Sequence, residues 1–103
     1  MYLNEINSKE IIPGLHGKIV HGDSISWAFW DVEKGTVVPD HSHFHEQIMH
    51  VVDGEFEITL NGKTSLHRSG SVVIIHSNIL HSGKALTNCK LMDVFSPVRE
   101  EYR

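Results

Sequence analysis

The chain has a single cysteine, Cys89, so no disulfide can form within it, and a reducing compartment is favoured. Positive charge is also scarce. Nine Lys and Arg stand against 13 Asp and Glu, a net charge of −4, and no basic run occurs anywhere. A phosphate backbone calls for the opposite balance, which argues against a nucleic-acid partner. No apolar run reaches the roughly 20 residues needed to cross a bilayer, so no membrane partner is expected. The opening MYLNEINSKEIIPG lacks a basic start followed by an apolar stretch and does not read as a secretory signal. A cytoplasmic location is therefore the expectation. Sustained helical periodicity, low-complexity segments and tandem repeats are all missing, which leaves a strand-built domain as the fold to expect.

What remains is an ordinary globular composition with one excess. At 103 residues and 40% hydrophobic content the chain is long enough for one domain, residues 1–103, with a core that needs no staples. The excess is histidine: nine in all, of which His41, His43 and His45 fall in a five-residue window. His16, His21 and His67 are scattered and read as surface or satisfied core residues.

Turn formers divide the chain into short strands. Residues 1–14 read as an irregular lead-in ending at Pro13-Gly14. Strands are expected at 15–21 and 25–32. The second, ISWAFWDV, is apolar on both faces and is expected to be covered on both. A strand at 36–43 follows the turn at Gly35. Asp53-Gly54 joins 47–52 to 55–60, and Asn61-Gly62, the strongest short hairpin signal, joins 55–60 to 63–67. Further strands are expected at 71–75, 79–83 and 89–95, with residues 96–103 as a tail. Strands this short and this closely spaced predict an all-β sandwich or barrel.

Within this pattern, GTVVPDHSHFHEQIMHVVDG sets His41, His43, His45 and Gln47 two residues apart. On extended chain such residues point to one side. Nitrogen and oxygen donors concentrated in an apolar β-rich chain suit a metal site, with a hydrogen-bonded polar patch as the plain alternative. A turn near 44–46 would send His45 to the rim or behind the ligands. His50 has the opposite parity to Gln47 and is expected to face away, and His76 lies in a turn. Near the end, LMDVFSPVR puts Leu91, Asp93 and Phe95 on one strand face. If that face is interior, the Asp93 carboxyl must be paired, hydrogen-bonded or protonated. Arg99, past a Ser-Pro corner, can fold back over a barrel mouth and take a carboxylate in bidentate fashion. An Asp93–Arg99 structural pair, or a solvated Arg99, is the simpler alternative.

Two spacings resemble a known family. Gly35, five residues, His41-Ser42-His43, three residues, Gln47, six residues and Gly54 resemble the first cupin motif, with glutamine where glutamate is usual. Gly70, five residues, His76-Ser77-Asn78 and then His81 resemble the second. There His76 and Asn78 replace the usual proline and glycine, and Ala85 stands where asparagine is common. The resemblance implies a single-domain cupin, a jelly-roll (RmlC-like) double-stranded β-helix barrel. It also implies His41, His43, Gln47 and His81 as ligands of one divalent transition metal. Three neutral imidazoles and an amide suit nickel, zinc, iron or manganese and leave positions open. Glutamine in place of glutamate keeps the centre more positive by one charge, a better Lewis acid for an anionic ligand.

HSHFHEQ together with the ending DVFSPVREEY is similar to the small cupins of pectin and alginate breakdown. Those proteins convert 4,5-unsaturated monouronates to linear 5-keto-4-deoxyuronates. By that likeness Asp93 and Arg99 are candidate catalytic residues, and Phe95 and Arg99 candidate contacts to a small sugar acid. A cupin dioxygenase and a non-catalytic sugar- or metal-binding module are the alternatives. A homodimer is expected, because the apolar runs at 25–32 and 71–75 exceed what one small barrel needs inside.

Overall fold

A computed structural model describes residues 1–103, and nearly all of its regular structure is strand. The strands are β1 Lys9–Ile12, β2 Leu15–His21, β3 Ser26–Val32, β4 Val37–His41, β5 Glu46–Asp53, β6 Glu55–Leu60, β7 Lys63–Arg68, β8 Val72–Ile75, β9 His81–Ala85 and β10 Cys89–Ser96. Short 3-10 turns lie at Leu3–Glu5 and Glu100–Tyr102. One sheet has six strands in the order β1-β2-β3-β10-β5-β8 and the other has four in the order β4-β9-β6-β7. No helix is long and apolar enough to cross a membrane. Two antiparallel sheets around one core make the β-barrel architecture that the strand pattern predicts.

Alternation builds the interior. In β10, Cys89, Leu91, Asp93 and Phe95 are buried while Lys90, Val94 and Ser96 face out. In β5, Gln47, Met49 and Val51 are buried between exposed or half-exposed neighbours. Inner residues of both sheets, among them Trp30, Met49, Phe56, Ile58 and Leu91, form one cluster. Burying each such side chain stabilises the fold by about 1.5–3 kcal/mol. Against that background the buried polar residues stand out: Ser26, Thr36, His45, Gln47, His81, Asp93 and Arg99. The hairpin between β6 and β7 turns on Asn61 and Gly62, both at positive φ. Gly54, at φ +97°, joins β5 to β6, and a Cβ there would meet the Asn88 carbonyl at 2.5 Å.

Several expectations need correction. The lead-in is not irregular throughout: β1 pairs antiparallel with β2 around the Pro13-Gly14 turn. KEII is too short to show alternation, and it forms because β2 offers an open edge. Within a single chain the strand at 25–32 is covered on one face only. Ala28, Trp30 and Val32 are buried, but Trp27 and Phe29 are only half-buried and Ile25 is exposed. Likewise Val72 and Ile74 are 61% and 53% exposed, since β8 is an edge strand with one face outside. The strand expected at 79–83 runs instead over His81–Ala85. The tail turns back after Ser96 and ends in the second 3-10 turn.

Candidate metal centre

The histidines do not converge along one extended strand. His41 ends β4 in the four-stranded sheet, Gln47 lies in β5 of the six-stranded sheet, and His43 is on the bend between them. The bend at Ser42–His45 is what carries the chain from one sheet to the other. His81 opens β9 directly opposite His41 in the pairing register. Ligand nitrogens of His41, His43 and His81 all lie within 4.8 Å of one another.

Each imidazole is oriented from behind. His41 Nδ1 is 2.9 Å from the Pro39 carbonyl, His43 Nδ1 is 3.0 Å from that of His45, and His81 Nδ1 is 2.8 Å from that of Ile79. A carbonyl only accepts, so Nδ1 carries the proton in each ring and the Nε2 lone pair is turned forward. Gln47 is oriented in the same way. Its Nε2 donates to Asp93 Oδ1 at 2.9 Å, which leaves Oε1 facing away from that carboxylate. His43 Nε2, His81 Nε2 and Gln47 Oε1 are all buried without a hydrogen-bond partner. Unpaired buried acceptors cost about 1–3 kcal/mol each unless something fills them. Three imidazole nitrogens and an amide oxygen are the donor set of a divalent transition metal, so these residues fit such an ion.

A cavity of about 560 Å³, counting its open mouth, adjoins the cage. His41, Gln47 and His81 line it, together with Asp93, Phe95 and Arg99. Both Asp93 oxygens are held, one by Gln47 and the other by the Trp30 Nε1–H at 2.8 Å. The Asp93–Arg99 pair does not form. The Arg99 Nε donates to Glu101 instead, and its guanidinium lies 4.7 Å from the Phe95 ring centre and 4.5 Å from that of Tyr102. Nor is Arg99 solvated: it is 7% exposed. His45 is buried behind the ligands, and its Nε2 donates to the Val98 carbonyl at 3.1 Å. His50 is half-buried on the outer side of β5 and His76 is exposed.

Sequence reasoning missed Trp30, Tyr102, Glu101 and Ser26. Trp30 had a usable signal, because a buried indole N–H needs an acceptor and Asp93 was the one interior carboxylate. For Tyr102, beyond a corner in the tail, no periodicity pointed to the cavity.

Burial pushes the Asp93 carboxyl up from 3.8 to about 6, against the pull of the Gln47 and Trp30 hydrogen bonds and the Arg99 charge. Burial, assisted by the Arg99 charge, pushes His43 down from 6.5 to about 4. His81 is lowered too, again mainly by burial. Such neutral imidazoles suit metal binding. In metal-free protein His43 and Asp93 act oppositely on stability. Between about pH 4 and 6.5 the unfolded chain holds a proton on His43 that the folded chain lacks, so this contribution rises with pH. Between pH 3.8 and about 6 the folded chain holds a proton on Asp93 that the unfolded chain lacks, so this one falls as pH rises. Asp93→Asn removes only the second. Relative to wild type, the metal-free variant should gain about 1.4 kcal/mol of stability per pH unit from about pH 4 to 6. Urea titrations at several pH values measure this, and a pH-independent difference would show that folding leaves the carboxyl's pKa unshifted.

Comparison with known proteins bears on the fold and the family. A family model described as "Cupin domain" matches residues 28–95. A curated relative, the pectin degradation protein KdgF of Dickeya dadantii (strain 3937), is 28% identical over 97 residues, 91% of this chain and 88% of the relative. The structure of KdgF from Halomonas sp. superposes with a TM-score of 0.93 at 28% identity, covering 99% of this chain and 96% of that one. An RmlC-like cupin from Shewanella frigidimarina NCIMB 400 shares the fold, with a TM-score of 0.95 at 24% identity over 100% of this chain and 94% of that one.

Proposed function

The chain belongs to the cupin domain family, and from that premise we propose that it is a metal-dependent isomerase that opens 4,5-unsaturated monouronates to linear 5-keto-4-deoxyuronates. The observation that carries this reading is a single cavity lined by cage residues, an interior carboxylate and a stacked guanidinium. Likeness to two KdgF proteins, one of them named for pectin degradation, supports the substrate class. A bound nickel, zinc, iron or manganese ion would act as a Lewis acid toward substrate oxygens.

The chain's own residues supply the rest. Arg99 pairs with the substrate carboxylate, and its Nε bond to Glu101 keeps the guanidinium from swinging. Phe95 forms an apolar wall beside the ring. Asp93, as a carboxylate, accepts the proton of the anomeric hydroxyl. The C1–O1 bond then becomes the aldehyde carbonyl, the C1–O5 bond breaks, and O5 stays on C5 as the enolate oxygen. Asp93 returns the proton to C4, and C5 becomes the ketone. One proton moves from oxygen to carbon and nothing else is consumed. A pKa of about 6 lets one group both take and return that proton near neutrality.

Proton NMR of 4,5-unsaturated galacturonate with metal-loaded protein tests this. Faster formation of the linear ketone is expected. No acceleration, with oxygen consumption under iron loading instead, would turn the reading to a dioxygenase.

The natural state we assign is a homodimer in the cytoplasm. Trp27, Val94, Ile48 and Ile74 form one cross-strand row on the outer face of the six-stranded sheet, and Ile48, Ile74 and Val94 are exposed. An apolar row of this kind suits a second copy. Light scattering should give about twice the 11.7 kDa chain mass, and a mass near 11.7 kDa at micromolar concentration would contradict the dimer.

A further inference from the structure

Ser26 is fully buried, at 0% exposure, at the start of β3 and on the same face as Ala28 and Trp30. A hydroxyl there is costly unless it is used. Its Oγ accepts the Arg99 backbone N–H at 2.8 Å and lies 2.8 Å from His21 Nδ1, to which its own proton is free to go. The β2–β3 hairpin sets this up. His21 and Ser26 are register partners across it, and Ser26 also pairs with Phe95 of β10.

From the other side His45 Nε2 donates to the Val98 carbonyl. That carbonyl and the Arg99 N–H are the two polar groups of one peptide unit. Side chains from two separate parts of the fold therefore fix a single peptide plane, the one from which the Arg99 side chain departs. His45 also does a second job, since its own carbonyl accepts the His43 Nδ1–H at 3.0 Å. One residue thus orients a cage imidazole with its backbone and the arginine's peptide with its ring.

We propose that Ser26 and His45 are positioning residues that hold the Arg99 guanidinium at a set place relative to the histidine cage, and so select sugars that carry a carboxylate. The inference rests on Arg99 being the carboxylate clamp of the reading above. Turnover is not needed to test it.

Metal-loaded wild type, Ser26→Ala, Arg99→Ala and the double variant would be titrated by calorimetry with D-galacturonate and with D-galactose, which lacks the carboxylate. Metal content would be measured in parallel. Ser26→Ala should weaken galacturonate binding about tenfold, the scale of one lost hydrogen bond, and leave galactose unchanged. The double variant should bind galacturonate no more weakly than Arg99→Ala alone. In turnover of the unsaturated uronate, the Ser26→Ala loss should fall on KM rather than kcat. His45→Gln, which can still donate to Val98, should keep the galacturonate preference, whereas His45→Phe should lose it. This second pair decides the matter if Ser26→Ala does not fold.

Equal weakening for both sugars, or additive losses in the double variant, would overturn the proposal. If wild type shows no preference for galacturonate, the clamp role of Arg99 falls and the proposal falls with it. If the preference behaves as expected but no linear ketone forms, the isomerase reading fails and the positioning role stands.

Discussion

Replacing Asp93 by asparagine is expected to slow linearisation of an unsaturated uronate by about 10²–10⁴-fold, the usual contribution of a positioned acid–base group. An amide cannot accept and return a proton near neutral pH. The same substitution also disturbs the cage, for a reason visible in the hydrogen bonds. Asp93 accepts from Trp30 with one oxygen and from Gln47 with the other. Asparagine has only one acceptor oxygen. Either the indole loses its partner, or the Gln47 amide rotates and turns a nitrogen toward the histidines. Metal affinity should fall as well, by about 10–100-fold, as when an outer partner of a ligand is removed. Turnover measured at saturating metal separates the two effects. A variant that retains full activity there would remove Asp93 from the chemistry.

His81→Ala should have the larger effect on metal binding. It deletes a ligand outright, so the loss should exceed the roughly 100-fold upper range for outer-shell partners. Stability offers a second readout. In metal-free protein the His81 Nε2 is buried and unpaired, so its removal relieves a polar cost while leaving a cavity. The two terms oppose, and metal-free wild type and variant should unfold within about 1 kcal/mol of each other. Added nickel or zinc at 100 times the wild-type Kd should stabilise wild type by about 2.7 kcal/mol and the variant by less than about 0.4 kcal/mol. Denaturation with and without metal measures this. Equal stabilisation of both proteins would place the ion elsewhere.

Much of this molecule could be read from its residues, and the parts that could not share a cause. Alternation in LMDVFSPVR set Asp93 on one face with Leu91 and Phe95, which the fold turns inward, and Asn61-Gly62 located a hairpin, because both signals are local. The two histidine spacings identified the cage through family likeness, although the geometric reason is different. His41 and His43 come together with His81, and Gln47 lines the adjoining cavity, because the chain crosses between sheets at Ser42–His45, and not because extended residues alternate. What stayed hidden depends on contacts far apart in sequence. Trp30 meets Asp93 across 63 positions, and Ser26 meets the Arg99 amide across 73. The strand KEII forms only because β2 has a free edge. Tyr102 reaches the cavity only because the tail folds back.

X-ray absorption at the metal edge, on protein loaded with one equivalent of nickel or zinc, addresses the centre of this account directly. Three imidazole shells and one further oxygen from the protein are expected around a single ion, with one imidazole lost in His81→Ala. A spectrum without imidazole scattering, or one unchanged by that substitution, would mean that these four side chains do not hold the ion on which the proposed chemistry depends.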